Sequence, residues 1–597
     1  MRSLDHEVIK GTAFVLGKAS GKLIASGVEL SFWGGVNVET SEIVDHHHPL
    51  NGYRLHNSVL AIPGGRGSCS GSGAMLELIL KGNGPRGIIF QQREDILTLG
   101  VMIAEEVFQK SIPVVVLNAA DFHKILTLHG HDIHIQDGRI SGMELPSLQL
   151  SPRLGDGMAD VAGPGDMIGL GAMRLSAIDM DFLNGVHGEA ARVAMRIVLR
   201  MAVILGAEEL MDITQVHVDA CIYTGPAALA LAERLRDWGG KVRVPTTLNA
   251  ISVDQKRWRA LGVETTFGLA SEKLGKAYTD MGAQPTFTCA PYQLNTAPKL
   301  GDQVAWAESN AVIYANSVLG ARTMKNPDFL DISIALTGRA PKAGPHLSSN
   351  RLASLCVRVS NLGAVDDSFP PLLGYYVGLL SRNRIPVVTG LETLDLSNDD
   401  LKAFGAAFAT VCSAPMFHIV GITPEAVALD AVVALGFESV DVNLREMAQY
   451  WDKLNTASLL ENPNVDLISL GNPHFSFAEM RRLANLCRGR VKAASVAVII
   501  TCGRAVYGLA KQAGLIDDLE LFGVKVLTDI CWCMVTDPII SPSAKTIMTN
   551  SGKYAHYGPG LTGRGIYFGS LAACVEAACC GVYDGGKPQW LLNCLSS

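Results

Sequence analysis

The stretch Ala61-Ile62-Pro63-Gly64-Gly65-Arg66-Gly67-Ser68-Cys69-Ser70-Gly71-Ser72-Gly73 constrains this chain more than any other. It holds five glycines, three serines and one arginine. Its apolar lead-in, Val59-Leu60-Ala61-Ile62, reads as the end of a strand, and the good helix formers from Ala74 to Leu80 follow it. Glycine lets the backbone turn sharply and lets a ligand approach the main chain closely. A junction of strand, Gly/Ser loop and helix presents N–H groups and a positive helix end to an anion. Arg66 adds a forked cation suited to a carboxylate or phosphate. Ser68, Ser70 and Ser72 supply hydroxyls that can exchange a proton. No Gly-Lys-Ser/Thr closes the loop, so it is not a P-loop.

Around this junction, residues up to about 140 read as short strands broken by glycine. Examples are 12–17, 22–26, 35–40 and 43–45, then the continuous apolar runs 87–90 and 112–117 typical of buried strands. Leu99 to Phe108 fits a helix, and 132–140 fits a hairpin on an Asp137-Gly138 turn. His46-His47-His48 is expected to be a solvated turn ahead of Pro49, because consecutive strand residues face opposite sides and cannot converge on one ion. A polar Gly/Pro-containing span from Ser141 to Asp166 places a boundary near residue 150. The chain then divides into residues 1–148 and 149–597. In the larger part strands alternate with helices: 212–219, a helix at 226–237, 243–249, 385–390, and 417–421 leading into a helix at 423–435. That alternation predicts an α/β fold with mostly parallel sheet, whose strand ends carry ligands.

Composition removes several classes. A chain of 597 residues exceeds one ordinary core, and 48% hydrophobic against 18% charged content argues against disorder. A net charge of -7 gives no electrostatic reason to expect nucleic acid or an anionic membrane. The polar start Met1 to Glu7 and the absence of an uncharged apolar run of roughly 18–20 residues lead to the expectation of a cytoplasmic protein with a small-molecule substrate. In the apolar stretch 189–207, Arg192, Arg196 and Arg200 recur at helical spacing, which predicts an amphipathic helix. Thirteen scattered cysteines, an odd number, argue against a disulfide framework.

Four stretches of the larger part bring together chemistry-bearing side chains. Cys289 sits between Pro285 and Pro291, where the backbone is stiff. Gly471-Asn472-Pro473-His474 is a strand-end turn presenting an amide and an imidazole. Asp529-Ile530-Cys531-Trp532-Cys533 ends an apolar strand in thiols, and Ser551-Gly552-Lys553-Tyr554 is a donor-rich loop whose lysine suits an anion. No CxxC pair marks a zinc ribbon.

Together with the Gly65-Arg66-Gly67-Ser68…Gly71-Ser72 loop, these four motifs occur in the order found in the aconitase X family, and the chain resembles that family's single-chain type. The resemblance implies a small swivelling β-rich domain fused ahead of a large multi-layer α/β domain. It implies a hydro-lyase acting on cis-3-hydroxy-L-proline; the alternatives are a mevalonate 5-phosphate dehydratase, as in the two-chain type, and a non-catalytic cluster-binding regulator. It also implies an iron–sulfur cluster on cysteines of the large domain, with Cys289 and Cys531 at two ligand positions. The two-chain type has a cysteine where this chain has Asn472, so another thiol is needed. Cys356 is the expected third ligand, with Cys502 and Cys533 as rivals, and [2Fe-2S] the expected cluster. By the same resemblance Ser68 is the base, supported by Arg66 and Lys553. Ser70, Ser72, Asp219, Cys221, Asn249 and His474 are expected around the substrate.

Overall fold

Strand-forming runs and their helices assemble four sheets that matter for the site. The computed structural model describes residues 8–45, 48–143, 173–360, 363–459 and 463–596. The expected linker between the two parts falls largely in 144–172 and, with His46 and His47, lies outside the described residues.

The N-terminal part is an eight-stranded mixed sheet. Its centre is parallel: Lys18–Ala25, Ser58–Ile62, Gly87–Phe90 and Val114–Val116 lie side by side. Ser58–Ile62 is buried throughout, as expected of a strand covered on both faces. Helices Gly71–Lys81 and Ile96–Phe108 pack on the sheet. The hairpin Asp132–Gln136/Arg139–Ser141 turns at Asp137 and Gly138, both at positive φ (48° and 87°). Residues 35–45 make isolated bridges such as Val36↔Ile43 in place of the expected strands. His48 uses both ring nitrogens locally, against Val28 O and Leu50 N–H.

In the larger part, Val216–Val218 lies between Thr246–Leu248 and Ala305–Trp306 in a parallel three-stranded sheet. A parallel five-stranded sheet runs Val524–Thr528, Ala497–Cys502, Leu467–Leu470, Thr546–Thr549, Gly565–Phe568. Between them in sequence, Ala353–Arg358, Pro386–Thr389, His418–Ile419 and Val433–Asp441 form a third parallel sheet. The expected helix at 423–435 is absent: turns and the short 3-10 element Leu429–Ala431 precede the strand Val433–Asp441. The Thr423 hydroxyl exchanges hydrogen bonds with the Ile419 backbone and folds the chain back before a helix can start. The expected helix Pro226–Asp237 forms with Pro226 at its first turn.

Two observations fix how the parts meet. Glu77, on the helix after the Gly/Ser loop, accepts the Ala227 N–H at the start of Pro226–Asp237 (2.8 Å), which sets an anion on a helix N-terminus. Arg196 and Arg200 of the amphipathic helix Glu189–Leu205 pair with Glu106 and Glu105 of Ile96–Phe108. No helix among the described residues is long and apolar enough to cross a membrane.

Candidate active site

Parallel strands release their chains at one edge, and here two such edges abut. The three-stranded sheet delivers Asp219, Asn249 and Glu308 just past its strand ends. The five-stranded sheet delivers Gly471 to His474, Asp529 to Cys533 and Asn550 to Lys553. The Ile251↔Ile530 bridge joins the edges, with Ile251 N–H on Asp529 O (2.8 Å) and Cys531 N–H on Ile251 O (3.2 Å). This strand-end placement is the usual position of a ligand site in parallel sheets.

Three thiols share one buried cluster: Cys289, Cys531 and Cys533, with Ala250. Cys531 hydrogen-bonds Cys533; that bond lowers the Cys533 thiol and raises Cys531. Asn472 Nδ2 faces the Cys533 sulfur at 3.5 Å, and the His474 N–H donates to the Cys289 sulfur at 3.3 Å. Burial, reinforced by Glu308, pushes Cys289 up to about 12. Cys356 corrects the sequence expectation. It lies inside the strand Ala353–Arg358, packed with Val387, Ala426 and Val432, and does not join the other thiols. Cys502 is likewise held in the core behind its strand. The structure therefore brings Cys533 to Cys289 and Cys531. Among the described residues no group of three or more His, Cys, Asp or Glu is arranged to hold a metal ion as it stands. The donor chemistry nevertheless fits an iron–sulfur group: three soft ligands, none in a disulfide, excluded from water and near a cation.

That cation is Lys553, ion-paired with Glu308 at 2.9 Å. Burial opposes the ammonium, but Glu308 and the thiols outweigh it and hold Lys553 well above its ordinary value. Burial also opposes the Glu308 carboxylate; Lys553 and Asn310 hold it below the usual range. Asn249 bridges carboxylates, donating to Asp219 and to Glu308 (3.3 Å).

The Gly/Ser loop covers this floor. Lys325 donates to Gly67 O at 2.9 Å and Asp328 N–H to Cys69 O at 3.3 Å. Gly67 has φ +85°, and a Cβ there would meet Ser31 Oγ at 3.0 Å and Tyr557 Oη at 3.3 Å. Tyr557 stands on the helix Gly552–Thr562 that also carries Lys553, so this ring joins the loop to the floor. Ser68 Oγ accepts the Ser70 N–H (3.3 Å) and donates to Ser70 Oγ (3.3 Å). Arg66 pairs with Asp45 at 2.9 Å on the half-exposed rim. Ser72 is turned back onto Cys69 O (3.1 Å).

Several expected substrate contacts are already engaged by protein. Asn249 also accepts the Ala250 N–H on its amide oxygen (2.7 Å). His474, fully buried, bonds Ile530 O (2.9 Å) and Thr288 Oγ1 (3.2 Å); burial pushes it down to about 4, so it is a neutral tie between the two cysteine loops. Cys221 donates to Asn249 O (3.2 Å) behind the floor. Sequence reasoning missed Glu308, Lys325 and Asp328, and took Tyr557 only as the end of the donor-rich stretch that begins at Thr549. A readable signal existed for Glu308, an acid at a strand-to-helix junction that accepts the Asn310 N–H (3.4 Å).

Comparison with known proteins agrees with this layout. Residues 8–141 match the aconitase X swivel domain, 172–349 the first domain, 353–452 the second and 465–580 the third. The chain is 60% identical over 591 residues to the cis-3-hydroxy-L-proline dehydratase of Hypocrea jecorina, covering 98% of each. It is 49% identical over 590 residues to the Pseudomonas aeruginosa enzyme of the same name, covering 98% of this chain and 99% of that one. A crystal structure of Thermococcus kodakaraensis aconitase X in its holo-form superposes with a TM-score of 0.61 at 29% identity, covering 68% of this chain and 100% of that one. With all four domain types matched in one polypeptide, the chain belongs to the aconitase X family.

Proposed function

We propose that this aconitase X hydro-lyase dehydrates cis-3-hydroxy-L-proline to Δ1-pyrroline-2-carboxylate, with Ser68 as base and an iron–sulfur group on Cys289, Cys531 and Cys533. The observation that carries the reading is the approach of the serine loop, at Gly67, to Tyr557 on the helix that carries Lys553. The names of the relatives at 60% and 49% identity support the substrate.

Dehydration breaks the Cα–H bond, and the β-hydroxyl leaves, giving a Cα–Cβ enamine that becomes the Δ1 imine when the ring N–H proton moves to Cβ. The α-proton is weakly acidic, so charge developing near the carboxylate needs preorganised support. Lys553 supplies a buried cation that holds Glu308 through one N–H and has others to offer the substrate carboxylate. Ser68 is a poor base as a neutral hydroxyl. The Ser70 N–H aimed at its oxygen favours the deprotonated form, as an amide does at an oxyanion. When bound, the iron–sulfur group supplies Lewis acidity toward the departing hydroxyl. The cluster assigned is [2Fe-2S], on a ligand set in which Asn472 stands where the two-chain type has a cysteine; two iron and two sulfide per chain, against four of each, checks it. Asn249 and His474 hold the floor rigid rather than touch substrate.

A mevalonate 5-phosphate substrate is disfavoured, because a phosphate calls for several cations, and with Arg66 paired to Asp45 and Lys325 on Gly67 O the site offers Lys553 alone. The test is to incubate anaerobically prepared, iron-reconstituted protein with each compound. Loss of water from cis-3-hydroxy-L-proline, giving an imine that borohydride reduces to proline, is expected. Turnover of the phosphate alone, or of neither, overturns the assignment.

A further inference from the structure

Beneath the serine loop lies buried charge that the reaction above leaves unused. Asp219, Asp328 and Asp331 are 0, 2 and 0% exposed. Asp331 is fully employed, accepting N–H groups from Asp219 (2.7 Å), Ala220 (3.2 Å), Phe329 (2.9 Å) and Ile332 (2.6 Å). Asp219 Oδ1 accepts from Asn249. Two oxygens remain, Asp219 Oδ2 and Asp328 Oδ1, both buried and neither with a donor. The two side chains lie within hydrogen-bond reach of one another. Two carboxylates cannot hydrogen-bond, so one must carry a proton. Burial and the neighbouring acids raise both groups well above the carboxylate range, which agrees with a pair holding one proton and one negative charge.

Asp328 also touches the loop. Its N–H donates to Cys69 O (3.3 Å), which sets its carboxyl beside the Ser70 hydroxyl. Ser68 in turn donates to Ser70 Oγ at 3.3 Å. The series runs from Ser68 to Ser70 and on to the Asp328 carboxyl beside it, and it ends on a pair with room for another proton. The Ser68–Ser70 contact is long for an O–H···O bond, as unliganded catalytic contacts often are before substrate closes the site.

We propose that Ser70 and the Asp328–Asp219 carboxyl pair form a relay that receives the substrate α-proton from Ser68. This rests on the reading of Ser68 as base. In the step, the Cα–H electron pair forms the ring double bond, and the C–O pair leaves with hydroxide. The α-proton goes to Ser68 Oγ as the Ser68 proton passes to Ser70 and the Ser70 proton to the pair. The pair goes from one proton to two and from one negative charge to none; returning a proton to the hydroxide makes water and resets it. Asp328 and Asp219 are positioning residues, acting on substrate only through the serines.

Asp328→Asn and Asp219→Asn test the relay in the full reconstituted chain, since Asn keeps the shape but cannot take the proton. Asp328→Asn is expected to lower kcat by about 10²–10³-fold with KM unchanged, and to add no further loss on top of Ser68→Ala, because the two act as a unit. A kcat equal to that of the parent protein, or additive losses in the double variant, overturns the relay. Infrared spectroscopy gives a readout without substrate: the parent protein shows a buried carboxylic-acid carbonyl band at neutral pH that either Asn variant removes. Absence of that band in the parent protein overturns the shared proton even if turnover is normal. If the band is present but cis-3-hydroxy-L-proline is not turned over, the substrate assignment falls and the shared proton stands.

Discussion

Cys533 is the residue on which the proposed ligand set turns. It lies one residue from Trp532, whose indole N–H is anchored on Leu470 O (2.6 Å), so the short 3-10 turn Trp532–Met534 is held against the neighbouring strand. That anchoring turns Cys533 back beside Cys531, with Asn472 opposite. Substituting Cys289, Cys531 or Cys533 by Ser is expected to abolish visible cluster absorbance and bound iron after anaerobic reconstitution, whereas Cys356→Ser keeps both. Full iron in Cys533→Ser, or its loss in Cys356→Ser, removes Cys533 from the ligand set. The family resemblance marked Cys289 and Cys531, and the proline-fixed setting by itself favoured only Cys289. It did not separate Cys533 from Cys356 and Cys502, because that choice depends on which sheet each strand joins. Cys356 belongs to a sheet whose partners, Pro386–Thr389 and Val433–Asp441, come from distant parts of the chain.

At the scale of an element, the Gly/Ser loop works because its backbone passes close to other atoms. Gly67 takes a left-handed φ of +85° directly under the Tyr557 hydroxyl, with Lys325 on its carbonyl. A side chain there costs about 1–2 kcal/mol for the conformation alone. The Cβ also presses on Ser31 and Tyr557 at 3.0 and 3.3 Å. Gly67→Ala is therefore expected to shift Ser68 and lower kcat/KM by roughly tenfold or more, with a small change in thermal midpoint because the strain is local. Activity within twofold of the parent protein would show that this loop shape is dispensable. The strand–loop–helix junction was readable because glycine, serine and the apolar flanks each carry a local preference. The mistaken helix at 423–435 marks the opposite case: the apolar run 426–435 suits either state, and the Thr423 turn together with pairing to Ala353–Arg358 selects the strand.

For the whole molecule, the seams between sheets carry a pH dependence that short-range sequence signals did not reveal. His346 ends the 3-10 turn Gly344–His346, where the three-stranded sheet region meets the sheet containing Ala353–Arg358. Its Nδ1 pairs with Gln303 Oε1 at 2.7 Å, and its carbonyl accepts from Arg322 (3.2 Å). Burial first, then Arg351 and Arg322, push its pKa down to about 4. Unfolded, a histidine takes up its proton near pH 6.5. Between those values the unfolded chain binds more protons than the folded one, so this residue's contribution to stability is lost as pH falls from about 6.5 toward 4, at up to about 1.4 kcal/mol per pH unit. Burial pushes His217 down to about 3, with the same sign. Asp331, raised by burial to about 6, acts oppositely: the folded state keeps its proton longer, and stability falls as pH rises through that range. The total slope mixes these signs, so a difference measurement isolates the seam. His346→Gln can keep a hydrogen bond to Gln303 but does not titrate. Comparing thermal midpoints at matched scan rate, the parent protein should lose more than His346→Gln on going from about pH 7 to about pH 5, with parallel behaviour above pH 7. Parallel curves throughout would mean that His346 is protonated in the folded protein, and the neutral, buried seam drawn here would be wrong.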